Sequence, residues 1–178
     1  GATPEHEVAV LEMGMYQPGE IAELCRIARP EIGVVTNVEP VHLERLGTIE
    51  RIAQAKAELV RALPGDGWAV LNADDPRVAS MASLTAASVL TYGQDPGADV
   101  RLVRADAQGL AGSVLSVRAR AGLPGGDATE ARLHTAMLGP GAPRAVLAAV
   151  AVGLLHGLAW EEIQQGLDAL GQGPRLVL

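Results

Sequence analysis

The pattern of apolar and polar residues along the first half of the chain predicts strands and helices in alternation. Short apolar runs typical of buried strands lie at residues 8–12, 32–36, 68–72 and 88–92. Stretches with helical spacing follow the first three runs, at residues 18–29, 49–63 and 74–84. Strands that alternate with helices form βαβ units. We therefore expect a three-layer α/β domain with a mostly parallel, doubly wound sheet.

The second half of the chain has a different pattern. Three strand-like segments follow one another without a helix between them, at residues 99–105, 113–120 and 131–136. Such a succession predicts a small antiparallel β patch. Two helices are then expected at residues 143–157 and 160–170. The first of them is so rich in Ala, Val and Leu that it must be largely buried.

Polar residues stand where the predicted parallel strands end. Glu12 ends the first strand, Asn37 follows the second, and His42 lies in the next loop. In an open α/β sheet, ligands bind beyond the carboxyl ends of the strands. A carboxylate beside a tight glycine turn suits Mg²⁺, and a neutral imidazole is a further metal ligand. Each residue also has a structural interpretation: Glu12 as a helix cap or ion-pair partner, Asn37 as a strand cap, and His42 as a solvated loop residue.

Lys56 is unusual because it falls on the apolar stripe of its predicted helix. It lies seven residues after Ile49 and four before Val60, which both belong to that stripe. An amine there either extends its head to solvent or is held by a specific partner. Burial lowers the pKa of an amine, and a neutral amine can react with carbon dioxide to give a carbamate, an anionic group that binds metals. A snorkelling lysine and a carbamylated metal ligand are thus both compatible with the pattern.

Two further candidates, Asn72 and Asp74, end another predicted strand in the segment Asn-Ala-Asp-Asp-Pro. Either Asp74 or Asp75 alternatively caps the helix that follows. The sequence contains no G-x-x-x-x-G-K-[ST] loop, the segment that cradles phosphates through its backbone N–H groups. If this chain handles ATP, we expect its main phosphate cradle to lie outside this polypeptide.

Composition argues against several classes of function. The formal charge of −7 and the aromatic content of 2% argue against a nucleic-acid binder, which needs a basic face or a stacking platform. No apolar run is long enough to span a bilayer, so we expect no membrane insertion. Cys25 is the only cysteine and lies on an apolar stripe. We therefore expect a core thiol in a protein of the reducing cytoplasm.

Four segments, in order, resemble the central domain of Mur ligases, at residues 12–21, 36–44, 55–58 and 71–74. The first reads Glu-Met-Gly-Met-Tyr-Gln-Pro-Gly-Glu-Ile and is most similar to the MurF type, which adds D-alanyl-D-alanine to a UDP-muramoyl-tripeptide. The resemblance weakens in the antiparallel patch and returns at residues 153–170. It implies a central ATPase domain over residues 1–172 that lacks its P-loop, and the start of a linker to a C-terminal domain at residues 173–178.

The resemblance also implies an activity. The full-length protein would be an ATP-dependent ligase of peptidoglycan precursor synthesis that proceeds through an acyl phosphate. UDP-muramoyl-peptide and D-alanyl-D-alanine would bind through other domains. Glu12 and His42 would bind Mg²⁺, and Lys56 would be a carbamylated lysine that contacts the same ion.

By the same resemblance, Asn72 and Asp74 would lie near the nucleotide and Asn37 near the substrate. The sequence departs from the family before the buried helix, where a Gly-x-His-Asn-x-x-Asn-like segment is usual. Gly141 and Ala145 stand at the usual His and Asn positions. The alternative hypothesis is therefore a non-catalytic, Mur-ligase-like module that serves in binding or as a scaffold.

The lack of a phosphate cradle in this sequence generates the first prediction. The 178-residue chain by itself should show no measurable ligase activity or ATP hydrolysis, because the β- and γ-phosphates lose the backbone N–H groups of a P-loop. Phosphate release from ATP and Mg²⁺ measures this, with a P-loop-containing Mur ligase as the positive control. Robust hydrolysis by the purified chain would contradict the prediction.

Overall fold

A computed structural model describes residues 3, 5–40, 47–125 and 130–170. In these ranges the chain forms one sheet with helices on both faces. Its strands are β1 (Ile32–Val35), β2 (Trp68–Asn72), β3 (Ser88–Gly93), β4 (Val100–Ala107), β5 (Ser113–Ala119) and β6 (Glu130–Thr135). Its α-helices are α1 (Glu20–Ala28), α2 (Ile49–Ala62), α3 (Pro76–Ala79), α4 (Ala142–Leu155) and α5 (Trp160–Leu170), and short 3-10 helices lie at Ser80–Leu84 and Gly109–Ala111.

The strands lie side by side in the order in which they occur along the chain. Strands β1 to β4 pair in parallel, whereas β5 and β6 pair antiparallel. The predicted antiparallel patch therefore continues the main sheet, joined to it where Tyr92 pairs with Val100 and Gly93 with Arg101. The predicted fold class, a mostly parallel α/β domain with a small antiparallel part, is confirmed.

Alternation along the strands divides the core into two clusters, one on each face of the sheet. On β2, Val70 points into the cluster under α4 and α5, while Ala69 and Leu71 point into the cluster under α2 and the first 3-10 helix. Successive side chains of a strand face opposite sides, so each parallel strand supplies apolar residues to both faces. The three-layer arrangement follows from this alternation.

Local signals place the helix ends close to their predicted positions. Thr48 caps α2, as expected, with its side chain accepting a hydrogen bond from the Arg51 N–H at 3.3 Å. The helix expected at residues 74–84 begins later, at Pro76, because Asp75 is its cap and proline suits the first helical position. The alanine-rich helix α4 is largely buried, as expected, and Cys25 is buried as a free thiol.

The strand expected at residues 8–12 is wrong. This segment has no regular secondary structure, and Val8, Val10 and Leu11 are 58%, 92% and 61% exposed. A strand needs a neighbour to bond its N–H and C=O groups. Within the described residues β1 pairs with β2 alone, and no strand lies on its other side. Among these residues the outer edge of β1 is therefore free, but residues 8–12 form no ladder with it and stay irregular.

Among the residues that the structure describes, no helix combines the length and the apolar character that crossing a bilayer requires. The predicted boundary between residues 172 and 173 falls outside the described ranges and stays a prediction.

The burial of α4 generates the second prediction. Leu154 is fully buried in the core between the sheet and α5. Leu154→Ala should lower the free energy of unfolding by about 2–5 kcal/mol, because it leaves a cavity that the packed neighbours cannot close. Urea denaturation measures this change. Leu110→Ala is the matched control, since Leu110 is 93% exposed and its truncation should change stability by no more than about 0.5 kcal/mol. Equal losses for the two variants would contradict the core assignment.

Candidate functional site

The carboxyl ends of β1, β2 and β3 and the start of α4 enclose a cavity of about 550 Å³, here called the strand-end cavity. Its polar residues come from the ends of β2 and β3, the turns that follow the strands, helix α3 and the first turn of α4. They are Asn37, Glu39, Asn72, Asp74, Asp75, Arg77, Tyr92, Gln94 and Arg144. The location agrees with the general rule for ligand sites in open α/β sheets.

Asn72, the last residue of β2, is buried and joins the ends of two strands. Its Nδ2 donates a hydrogen bond to the Thr36 carbonyl at 2.8 Å, just beyond β1. Its Oδ1 accepts one from the Asp74 N–H at 3.0 Å. With its side chain at 4% exposure, both polar atoms need such partners. Asn72 therefore fixes the wall of the cavity.

Asp74 ties the turn after β2 to the end of β3. Its carboxylate accepts hydrogen bonds from the Gln94 N–H at 2.8 Å and the Asp95 N–H at 2.9 Å. Gly93 makes this approach possible, because a Cβ atom there would lie 2.6 Å from Asp74 Oδ1. Its φ of +154° also favours glycine. The carboxylate of Asp74 is therefore engaged with backbone N–H groups.

Asp75, rather than Asp74, caps the helix that follows. Its Oδ1 accepts from the Arg77 N–H at 2.9 Å and the Val78 N–H at 3.4 Å. Its Oδ2 accepts from the Val38 N–H at 2.7 Å, in the segment after β1. One side chain thus caps α3 and anchors the segment that follows β1.

Arg144 brings a cation to this cavity from the first turn of α4. Its guanidinium lies 3.5 Å from Glu39 Oε1, and both side chains are partly exposed. Tyr92 is fully buried beside them, and its hydroxyl donates to the Val35 carbonyl at 3.5 Å. Burial raises the pKa of Tyr92 to about 12, against a smaller opposing effect of Arg144. The phenol therefore stays neutral at physiological pH.

A second cavity, of about 670 Å³, runs along the edge strand β1 and is here called the edge cavity. Residues 7–13 form one wall, and parts of α1, α2 and α4 form the others. Glu12 and Lys56 both line it. Glu12 is exposed, whereas Lys56 is half-buried. The two residues that sequence reasoning selected from distant segments thus contribute to one cavity.

The pKa of Lys56, which lines the edge cavity, is affected by charged residues that line the strand-end cavity. Burial lowers the pKa of its amine, the carboxylates of Glu39 and Asp75 raise it by a smaller amount, and Arg144 lowers it further. These three charged residues line the strand-end cavity, although Lys56 itself lines the edge cavity. The net effect is a larger neutral fraction than an exposed lysine has.

Lys56 is also the only lysine among the 14 Lys and Arg residues of the sequence. All other basic positions carry Arg. A guanidinium stays protonated in proteins, whereas an amine loses its proton when burial lowers its pKa. The one basic side chain that is an amine, that of Lys56, is therefore also half-buried.

The structure brings together part of the predicted set. Asn37, Asn72 and Asp74 line the strand-end cavity, while Glu12 and Lys56 line the edge cavity. His42 lies outside the described residues. Within the described ranges, no three His, Cys, Asp or Glu side chains are grouped so that they could hold a metal ion. The metal assignment of Glu12 and His42 stays a prediction.

Sequence reasoning missed Arg144, Glu39 and Tyr92. Arg144 lies in the segment that departs from the family pattern, but nothing local shows that its side chain reaches Glu39 across about 100 residues of chain. A sequence signal for Tyr92 did exist, because it is an aromatic residue at the end of an apolar run. This position places it beside Asn72 at the same edge of the sheet.

Comparison with known proteins agrees with this architecture. Residues 2–153 match the Mur ligase middle domain family, and the chain belongs to that family. A UDP-N-acetylmuramoyl-tripeptide–D-alanyl-D-alanine ligase of Mycobacterium bovis is 41% identical over 168 residues, which cover 94% of this chain and 32% of the relative.

Solved MurF structures have the same fold. MurF from Acinetobacter baumannii superposes with a TM-score of 0.82 at 23% identity, covering 94% of this chain and 35% of that one. MurF from Thermotoga maritima in complex with ADP superposes with a TM-score of 0.69 at 25% identity, covering 81% and 32%. The chain therefore spans about a third of the length of these relatives.

The burial of Tyr92 generates the third prediction. Folding raises the pKa of this phenol from about 10 in the unfolded chain to about 12 in the native state. Its contribution to stability is complete below about pH 10 and is lost as the pH rises toward about 12. The free energy of unfolding should therefore fall in this window. Tyr92→Phe should remove that part of the decline. Urea denaturation at several pH values measures it, with Tyr16→Phe, at an exposed position, as control. An unchanged decline in Tyr92→Phe would contradict the assignment.

Proposed function

We propose that this chain is the central, ATP-using domain of a MurF-type ligase. The name of the Mycobacterium bovis relative supports the reaction, and the ADP complex of the Thermotoga maritima neighbour supports the nucleotide. In this proposal the complete protein joins D-alanyl-D-alanine to UDP-muramoyl-tripeptide in peptidoglycan precursor synthesis. The two substrates bind chiefly through domains other than this one.

One observation carries the proposal: the only lysine of the chain is half-buried and lines the edge cavity together with Glu12. A snorkelling role needs no amine, because arginine serves it equally well. Carbamate formation does need one, since only a neutral amine nitrogen attacks carbon dioxide. The nitrogen–carbon bond forms, the amine proton leaves to solvent, and Lys56 becomes an anion.

The donor set at this place fits Mg²⁺. The carboxylate of Glu12 and the oxygens of a Lys56 carbamate are hard ligands, and His42 completes the proposed set. When bound, Mg²⁺ would screen the charge between the attacking carboxylate and the triphosphate and stabilise the transferring phosphoryl group. Glu12, on an exposed segment of the cavity wall, is accessible to such an ion.

We place the nucleotide beside the strand-end cavity and the substrate near Asn37. Asn72 and Asp74 use their side chains to hold the strand ends together, so their proposed role is to fix the wall that the nucleotide contacts. Asn37 is half-buried at the rim. Its Oδ1 accepts from the Thr36 hydroxyl at 3.0 Å, which leaves its amide nitrogen as a donor toward the substrate.

The proposed chemistry has two steps. The carboxylate of the UDP-muramoyl-tripeptide attacks the γ-phosphorus of ATP, and the bond from that phosphorus to the bridging oxygen breaks. ADP is released, and the carboxylate has become an acyl phosphate. The amine of D-alanyl-D-alanine then attacks the acyl carbon, loses a proton, and expels phosphate. Residues of this domain contribute by positioning and by charge rather than by a covalent bond to the substrate. A cytoplasmic location suits this role, and neither nucleic acid nor membrane insertion enters it.

Lys56 generates the fourth prediction, tested in an intact protein that contains this domain. Lys56→Met and Lys56→Arg should both lower the ligase rate at least about 10-fold, because neither side chain can carry a carbamate. Lys56→Met should unfold at the same temperature as the parent or a higher one, since a half-buried amine is replaced by an apolar chain of similar length. Added short carboxylates should restore part of the rate of Lys56→Ala.

Carbon-13-labelled bicarbonate gives an independent readout of the same residue. NMR spectra of the parent protein should show a carbamate signal that disappears in Lys56→Arg. Full activity of Lys56→Met together with full stability would show that the lysine only snorkels. In that case the carbamate role of Lys56 is wrong. An intact parent protein without measurable ligase activity is the outcome that would favour the non-catalytic, scaffold-like hypothesis.

A further inference from the structure

Helix α1 begins without a cap of its own. Its N-cap residue is Gly19, which has no side chain to bond the free N–H groups of the first turn. The φ of Gly19 is +95°, a left-handed conformation that favours glycine. The turn therefore requires glycine for its backbone and must obtain its capping acceptor from elsewhere.

Glu58 on α2 supplies that acceptor from 39 residues away. Its Oε1 accepts a hydrogen bond from the Gly19 N–H at 2.7 Å, and its Oε2 accepts one from the Ala22 N–H at 3.1 Å. A carboxylate at this end of a helix also interacts favourably with the helix dipole. Glu58 thus caps α1 with both of its oxygens and attaches α1 to α2.

The segment between Glu12 and α1 is held at both of its ends. Next to Glu12, the Met13 sulfur accepts from the Cys25 thiol of α1 at 3.8 Å. At the other end, Gly19 is bonded to Glu58, and Met15 between them packs against the core beneath α2. The segment that carries Glu12 is therefore positioned through α1, and α1 is positioned through Glu58.

Lys56 and Glu58 lie two residues apart on α2 and so point to different sides of the helix. Lys56 lines the edge cavity, and Glu58 bonds the start of α1. The same turn of α2 therefore carries a proposed functional group on one side and the anchor of the Glu12 segment on the other. Changes in this turn can therefore affect both Lys56 and the wall that contains Glu12.

We propose that Glu58 is a positioning residue that sets the location of Glu12 relative to Lys56. This inference rests on the proposed function, because it assigns Glu58 to the ligase site formed by those two residues. Glu58 acts through the start of α1 and touches neither ATP nor substrate. Its loss should displace Glu12 and weaken the proposed magnesium site without removing any of its ligands.

The test uses Glu58→Gln in the intact ligase. The amide keeps one acceptor oxygen and the shape of the side chain but loses the charge and the second acceptor. The rate at saturating ATP should fall at least about 10-fold, as is usual for residues that orient metal ligands. The KM for ATP should stay within about 3-fold of the parent value. The dissociation constant for Mg²⁺, measured by isothermal titration calorimetry without turnover, should rise. Excess Mg²⁺ should restore part of the rate to Glu58→Gln but none to Lys56→Met.

Glu50→Gln is the matched control on the same helix. The Glu50 carboxylate makes only a long ion pair with Arg77, at 3.8 Å, among the described contacts, and its side chain is exposed. Its substitution should change neither the rate nor the Mg²⁺ dependence. If Glu58→Gln does not fold, Glu58→Asp takes its place with the same readouts, because it keeps the carboxylate and shortens its reach.

The outcomes separate this inference from the proposed function. If Lys56→Met is inactive and the Glu58 variant matches Glu50→Gln in rate and Mg²⁺ dependence, the proposed function stands and the positioning role is overturned. If Lys56→Met is fully active, the carbamate role of Lys56 within the proposed function fails, and the inference fails with it. A Glu58 variant with a reduced rate that excess Mg²⁺ restores, at an unchanged KM for ATP, supports the role.

Discussion

The strand-end cavity depends on the residues at the end of β2 and in the turn that follows it. Three of them make polar contacts with neighbouring strand ends: Asn72 bonds the Thr36 carbonyl beyond β1, Asp75 bonds the Val38 N–H, and Asp74 bonds the start of the segment after β3. Each contact satisfies a backbone group that the sheet leaves unpaired where its strands end. Asn72 and Asp74, which the sequence suggests as functional residues, therefore act with Asp75 to hold three strand ends together at one edge of the sheet. The cavity is formed by this arrangement.

The polar residues of this edge divide into two kinds once their partners are known. Asn72, Asp74 and Asp75 have their acceptor atoms occupied by backbone N–H groups. Lys56 and Glu12 face a cavity instead, and Lys56 is held in a half-buried position that favours its neutral form. A side chain whose acceptor atoms are held by backbone N–H groups is a structural element, whereas a half-buried amine with a lowered pKa is a group available for chemistry. This difference is the physical basis for centring the proposed function on the edge cavity.

The segment at residues 8–12 shows how far an apolar pattern depends on its surroundings. Its composition is typical of a buried strand, yet strand structure is a property of a pair, since the N–H and C=O groups of each strand are satisfied by its neighbour. β1 has only one neighbour among the described residues. The same segment carries Glu12. The adjacent Met13 contacts Cys25 of α1, and Glu58 of α2 caps α1. An irregular wall held in this way is more dependent on a few polar contacts than a strand within a sheet.

The sequence by itself determined the alternation of strands and helices, the cap at Thr48, the buried α4, and the selection of Lys56, because periodicity, capping and the cost of placing an amine on an apolar stripe are all local. It also identified the family through four ordered segments. Only the tertiary structure decided that residues 8–12 are irregular. It also decided that Asp74 bonds the segment after β3, that Asp75 bonds the Val38 N–H, and that Glu58 caps α1. These outcomes depend on which backbone groups meet across 20 to 39 residues of chain. No local pattern specifies such meetings, because a carboxylate bonds equally well to any N–H group that the fold brings within reach.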